Sequence, residues 1–149
     1  YAGFDIMQVK GATGLYNTNY EGKADASLAA LEKCDLVFVH VEASDEAGHE
    51  GNVNLKIKTI EYFDQRLVGR VLGGIHEKVR IALLPDHLTP IAVRTHVADP
   101  VPFLIYDPEK MSDEVEQFNE SSCSRGSLGL LEGDSFIKRV LGIENQILT

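Results

Sequence analysis

Hydrophobic and polar positions alternate in blocks along the chain, and the period of each block predicts its element. Residues 4–9, FDIMQV, read as a short strand. The Gly- and Asn-rich stretch KGATGLYNTNYEGK reads as a loop. Residues 23–33, KADASLAALEK, combine helix formers with apolar residues at helical spacing, and 35–42, DLVFVHVE, form a nearly continuous apolar run suited to a strand covered on both faces. Val53, Ile57, Ile60, Phe63, Leu67 and Val71 then recur at steps of three and four, which predicts an amphipathic helix over 53–73, stopped by Gly73-Gly74. VRIALLP (79–85) and PVPFLIYD (100–107) are two further apolar runs read as strands, the second with proline at its entry, where a missing N–H is tolerated. Residues 111–130 are polar and irregular, and 132–142, EGDSFIKRVLG, predict a last helix with Asp134 as N-cap.

Strands alternating with helices predict an α/β fold with a mostly parallel sheet. In such sheets ligands gather beyond the carboxyl ends of the strands. Two chemically rich stretches fall at such ends. FVHVEASDEAGHEGN (38–52) holds two histidines and four acidic side chains, and LLPDHLTP places Asp86-His87 after the next strand.

Three pieces carry candidate chemistry: Asp45-x-x-x-His49, Asp86-His87, and His96 within RTHVADPVPF. Carboxylate oxygens and imidazole nitrogens suit Zn²⁺, Mn²⁺ or Fe²⁺. Gly48 is read as a tight turn that lets Asp45 and His49 face one ion, and Asp86 and His87 as adjacent residues that converge in a loop. Each piece alone is common: an aspartate after a strand also caps turns, and an isolated histidine is often only hydrogen-bonded. It is the combination that points to metal. His40, inside the strand, and His76, in the turn after the long helix, read as structural or surface residues. No G-x-S-x-G, G-x-x-x-x-G-K-[ST] or H-E-x-x-H pattern occurs.

The totals adjust this picture only slightly. A chain of 149 residues is long enough for a real core. Against 14 Lys and Arg stand 23 Asp and Glu, a net charge of −9, which argues against nucleic acid as a partner and is compatible with a cation binder. No apolar run is long enough to span a membrane, and the first residues do not read as a signal peptide. Cys34 and Cys123 are far apart and outside any CxxC pattern, so no disulfide framework is expected. Cys34 is expected to be a buried thiol, and a reducing cytoplasm fits.

The quoted motifs carry a resemblance. KGATGLYNTNYEGKA, HVEASDEAGHEGNVNLKIKTIEYFDQRLV and LLPDHLTPIAVRTHVADPVPFLIY resemble the C-terminal part of the archaeal-type, cofactor-independent phosphoglycerate mutases of the alkaline phosphatase superfamily. The likeness is close over residues 1–107 and looser in the tail. It implies a three-layer α/β sandwich, incomplete here, with residues 1–149 forming the C-terminal part of a metal-dependent phosphatase or phosphomutase domain. It implies two divalent ions, Mn²⁺, Zn²⁺ or Mg²⁺. Asp45, His49 and His96 would hold the first, and Asp86 and His87 would contribute to the second. The nucleophilic serine, a further aspartate and a substrate-holding inserted domain are expected upstream, in a missing N-terminal part of the same protein. The implied reaction interconverts 3- and 2-phosphoglycerate through a phosphoserine, with this chain alone inactive. Two alternatives stay open: a homoserine kinase-like phosphotransferase sharing the metal half, and a non-catalytic or partner-binding domain. An incomplete sheet would expose an edge or an apolar face, so self-association, as a homodimer or as aggregation, is expected.

Overall fold

The computed structural model of the chain describes residues 3–143, so the ends of the expected 1–149 span lie outside it. The described residues fall into two compact units, one of residues 3–76 and 89–97, the other of 77–88 and 98–143.

In the first unit, α1 (Tyr20–Leu31) starts three residues before the position expected from periodicity. The cause is Asn19, whose side chain accepts the Gly22 N–H at 2.9 Å and sets the helix start there. Helix α2 (Ala43–Glu50) leads by way of Gly51-Asn52 into α3 (Val53–Tyr62), which runs through a π-helical segment (Phe63–Val68) into α4 (Gly69–Gly74). The amphipathic helix expected over 53–73 is therefore present, with an interior widened by π-type bonding that apolar spacing does not reveal. Its buried stripe packs Leu67 against Tyr20, Ala24 and Ala43, with Val39, Val41, Tyr62, Phe63, Val68 and Val71 around them. Arg66 lies on the same segment. Its guanidinium grips Glu21 through two bonds of 2.6 and 2.9 Å and sits 5.0 and 4.9 Å from the ring centres of Tyr20 and Tyr62. This planar fork-and-stack geometry is one that arginine and not lysine can supply.

Residues 4–9 and 35–42 are not strands: among the described residues neither stretch takes part in a backbone ladder. Residues 36–42 form no regular element, and they are covered unevenly. Val39 and Val41 pack on the core, whereas Phe38 is 71 % exposed and stacks on His40. An apolar run can favour extension, but the hydrogen bonds that make a strand come from a partner far away in sequence. Cys34 is exposed rather than buried, because it follows the last turn of α1 instead of lying on that helix's inner face.

In the second unit, β1 (Ile81–Leu83) pairs with β2 (Leu104–Tyr106). The pairing is antiparallel, with Ile81 opposite Tyr106 and Leu83 opposite Leu104, so the sheet formed by the described residues is not the mostly parallel one expected. Arg80, next to the pair, donates to Asp107 at 2.8 and 3.1 Å and to the Val140 carbonyl at 2.7 Å, tying the strands to the end of a helix. That helix is α6 (Ser135–Leu141), preceded by the short α5 (Glu120–Cys123) inside the stretch expected to be irregular. Asp134 occupies the N-cap of α6 but makes no capping bond with its side chain, which pairs instead with Lys138 at 2.9 Å. Phe136 meets Phe103 edge-on, with ring centres 5.5 Å apart. No helix among the described residues is long and apolar enough to cross a membrane.

Candidate metal centre

The stretch DEAGHEG is helical, not a loop. Ala43, Glu46, Ala47 and Glu50 favour helix, and the acidic pair Asp45 and Glu46 sits in its first turn, where the helix dipole favours negative charge. The helix stops at Gly51, which is left-handed (φ 69°). Gly51 N–H donates to Gly48 O at 3.0 Å and Asn52 N–H to Ala47 O at 3.1 Å, the double bond pattern of a Schellman end. Asn52 then accepts the Leu55 N–H and caps α3. Two residues thus end one helix and start the next.

The helix puts Asp45 and His49 four residues apart on one face. His49 Nε2 lies 3.3 Å from Asp45 Oδ2. His96 arrives from the segment after Thr89, with its Nε2 3.4 Å from Asp45 Oδ1 and 3.1 Å from His49 Nε2. Both carboxylate oxygens of Asp45 and one ring nitrogen each of His49 and His96 therefore converge. The site is accessible to solvent, with the Asp45 side chain 23 % and that of His96 52 % exposed. One carboxylate and two imidazoles form a donor set that suits a borderline divalent ion.

Neighbouring groups hold these atoms in place. The buried Thr89 donates its hydroxyl to Asp45 Oδ1. Lys56 Nζ, from α3, donates to the Thr89 carbonyl at 2.6 Å. Gly48 is what lets Thr89 come this close: a Cβ there would stand 2.6 Å from Thr89 O and 3.0 Å from Thr89 Cγ2. The glycine expected to provide a turn provides close approach instead, and the turn belongs to Gly51. His49 Nδ1 lies 3.0 Å from the Arg94 carbonyl oxygen, which can only accept, so Nδ1 carries the hydrogen.

Asp86 and His87 follow β1 in the second unit, as expected from the sequence. The His87 N–H donates to Asp86 Oδ1 at 3.1 Å, and His87 Nε2 is 3.5 Å from the same oxygen. The two neighbours do converge, in a bend beyond the strand end. His40 contributes its carbonyl, which accepts from Lys23 Nζ at 2.6 Å. Sequence reasoning missed Thr89, Lys56 and Arg94. All three lie within the quoted motifs, but a supporting hydroxyl, an ammonium on a backbone carbonyl and a carbonyl itself leave no chemical pattern to search for.

Comparison with known proteins places these observations in a family context. The Metalloenzyme superfamily model matches residues 1–138. The chain is 51 % identical over 141 residues to the 2,3-bisphosphoglycerate-independent phosphoglycerate mutase of Methanosarcina barkeri, covering 92 % of this chain and 35 % of that protein. It is 46 % identical over 138 residues to the probable enzyme of the same name from Geobacter sulfurreducens, covering 91 % of this chain and 34 % of the relative. Among solved structures, the PH0037 protein of Pyrococcus horikoshii superposes with a TM-score of 0.91 at 36 % identity, over 99 % of this chain and 44 % of that one. The chain thus spans about a third of the length of the curated relatives it matches.

Proposed function

Because the chain belongs to the Metalloenzyme superfamily, we propose that it is the metal-holding part of a 2,3-bisphosphoglycerate-independent phosphoglycerate mutase. The observation that carries this reading is the convergence of Asp45, His49 and His96 within 3.1–3.4 Å of one another, in a chain about half identical to relatives bearing that name. In this reading Asp45, His49 and His96 hold one divalent ion, and Asp86 and His87 supply two ligands to a second, the ions being Mn²⁺, Zn²⁺ or Mg²⁺. The substrate is phosphoglycerate, whose phosphoryl group moves between the 3- and 2-positions by way of a serine outside this chain. The fold completed by the rest of the protein is the three-layer, alkaline phosphatase-like sandwich, and the protein works in the cytoplasm.

When bound, divalent ions make a coordinated hydroxyl a nucleophile near neutral pH and offset charge on a transferring phosphoryl group. This chain's residues prepare the place. Asp45 supplies the negative charge that favours a cation. His49 and His96 supply neutral nitrogen donors, which limits the net negative charge facing an anionic substrate. Thr89, by donating to Asp45 Oδ1, fixes the carboxylate's rotation and leaves Oδ2 on the His49 side.

Calorimetric titration of the chain with Mn²⁺ and Zn²⁺, beside the Asp45→Ala/His49→Ala double variant, tests this reading. Uptake near one ion per chain that disappears in the variant is the expected result. Equal uptake by both proteins would remove Asp45 and His49 from the site. The chain alone is expected to show no mutase turnover with added Mn²⁺, and isomerisation by it would overturn the assignment of the nucleophile to another part of the protein.

A further inference from the structure

We propose that Arg94 is a positioning residue for this metal centre, acting through its backbone: its left-handed conformation turns its carbonyl oxygen onto His49 Nδ1 and so holds His49 Nε2 toward Asp45 and His96. The inference rests on the reading that these three residues hold an ion.

Arg94 has φ 56°, and it is the one non-glycine residue with positive φ among those described. The other six left-handed positions described, Gly3, Gly11, Gly51, Gly129, Gly133 and Gly142, are all glycine, which enters this region without a Cβ penalty. Arg94 closes a helical turn that begins at Pro90: its N–H donates to the Pro90 carbonyl at 2.9 Å, beside the Val93 N–H at 3.0 Å. This is the place where a helical turn usually ends on glycine. Strain of this kind persists only where surrounding contacts over-determine it, and it concentrates at functional sites.

Two contacts account for it. The first is the 3.0 Å bond from His49 Nδ1 to the Arg94 carbonyl. A ligating histidine needs its second ring nitrogen bound, because that bond selects the tautomer and stops the ring from rotating. With Nδ1 carrying the hydrogen, Nε2 is the donor nitrogen, and it lies 3.3 Å from Asp45 Oδ2 and 3.1 Å from His96 Nε2. The second contact is with Gly51. A Cβ at that position would run into the Arg94 guanidinium, with 2.6 Å to Cζ. The bare Gly51 backbone therefore lets the Arg94 side chain lie against the end of α2, two residues beyond His49. The 90–94 turn is held against the helix that carries two of the three ligands, and two residues before His96.

The conformation can be separated from the side chain by substitution. Arg94→Gly keeps the left-handed backbone and loses the guanidinium. Arg94→Asn tolerates the same backbone. Arg94→Val disfavours it, because a β-branched residue is poorly accommodated at positive φ. Two quantities are read on the whole chain: the His49 tautomer from ¹⁵N chemical shifts without metal, and Zn²⁺ affinity by calorimetry. The Gly and Asn variants are expected to keep the Nδ1–H tautomer and an affinity near that of the parent. The Val variant is expected to show a tautomer mixture and about 10- to 100-fold weaker Zn²⁺ binding. Equal losses in Gly and Val would transfer the role to the guanidinium and overturn the proposal. So would a Val variant with unchanged tautomer and affinity. If the Val chain does not fold, Arg94→Ala against Arg94→Asn makes the same comparison with a milder backbone penalty. Absence of Zn²⁺ uptake by the parent chain would defeat the metal reading, and the tautomer measurement would still decide the positioning claim.

Discussion

Replacing Gly48 by alanine separates two forces of opposite sign. In an unobstructed helix interior the change stabilises by roughly 0.5–1 kcal/mol, because alanine loses less backbone freedom on folding. At position 48 the added Cβ would stand 2.6 Å from the Thr89 carbonyl oxygen, and a backbone atom cannot swing away as a side-chain tip can. Overpacking of this kind costs about 1–3 kcal/mol. Moving Thr89 also strains the 2.6 Å bond from Lys56 Nζ, a further loss of about 1 kcal/mol. The costs exceed the propensity gain, so Gly48→Ala is expected to lose about 1–3 kcal/mol. The internal control is Gly73→Ala in α4, where a Cβ meets nothing within 4 Å and the propensity gain should stand alone. Urea unfolding followed by circular dichroism measures both. Because Thr89 also donates to Asp45, Gly48→Ala should weaken divalent-ion uptake as well. If Gly48→Ala proves as stabilising as Gly73→Ala, the close approach of Thr89 to α2 is not real and the account of how Asp45 is held falls with it.

Two more outcomes follow from charge and exposure. Arg66 beside Glu21 and Arg70 beside Asp25 hold those carboxyls below their ordinary values of 4.5 and 3.8, while Asp107 is lowered first by the Glu109 N–H and then by Arg80. Carboxylates depressed in the folded state contribute stability that is present above those ordinary values and lost as pH falls through the folded ones. The melting temperature should therefore drop as pH falls below about 4, and less steeply in Glu21→Gln; an unchanged slope in that variant would remove the Arg66–Glu21 pair as a cause. Phe38, a large apolar side chain 71 % exposed on a stretch without a ladder partner among the described residues, should promote self-association. Light scattering at high concentration is expected to show association that Phe38→Lys reduces, and a monomeric parent chain would end that argument.

What the sequence determined by itself was local or chemical. The spacing of Val53, Ile57, Ile60, Phe63, Leu67 and Val71 marked the long helical run, because helix hydrogen bonds join residues four apart and the buried stripe repeats with the same period. The motifs around Asp45, His49, Asp86, His87 and His96 identified the candidate ligands by residue type. Tertiary structure decided the rest. Residues 36–42 have strand composition but no ladder, since a strand is defined by a partner that composition cannot name. The same limit hid the antiparallel pairing of 81–83 with 104–106. Stretch 43–50 is helical although it contains Gly48, a poor helix former, and that glycine is explained only by the Thr89 backbone packed against it. That Asp45, His49 and His96 meet is likewise a fact of packing. Residues 45 and 96 are separated by half a hundred positions yet meet at 3.4 Å, and the groups that hold the site, a buried hydroxyl at Thr89 on Asp45 and a backbone carbonyl at Arg94 on His49, have no signature of their own.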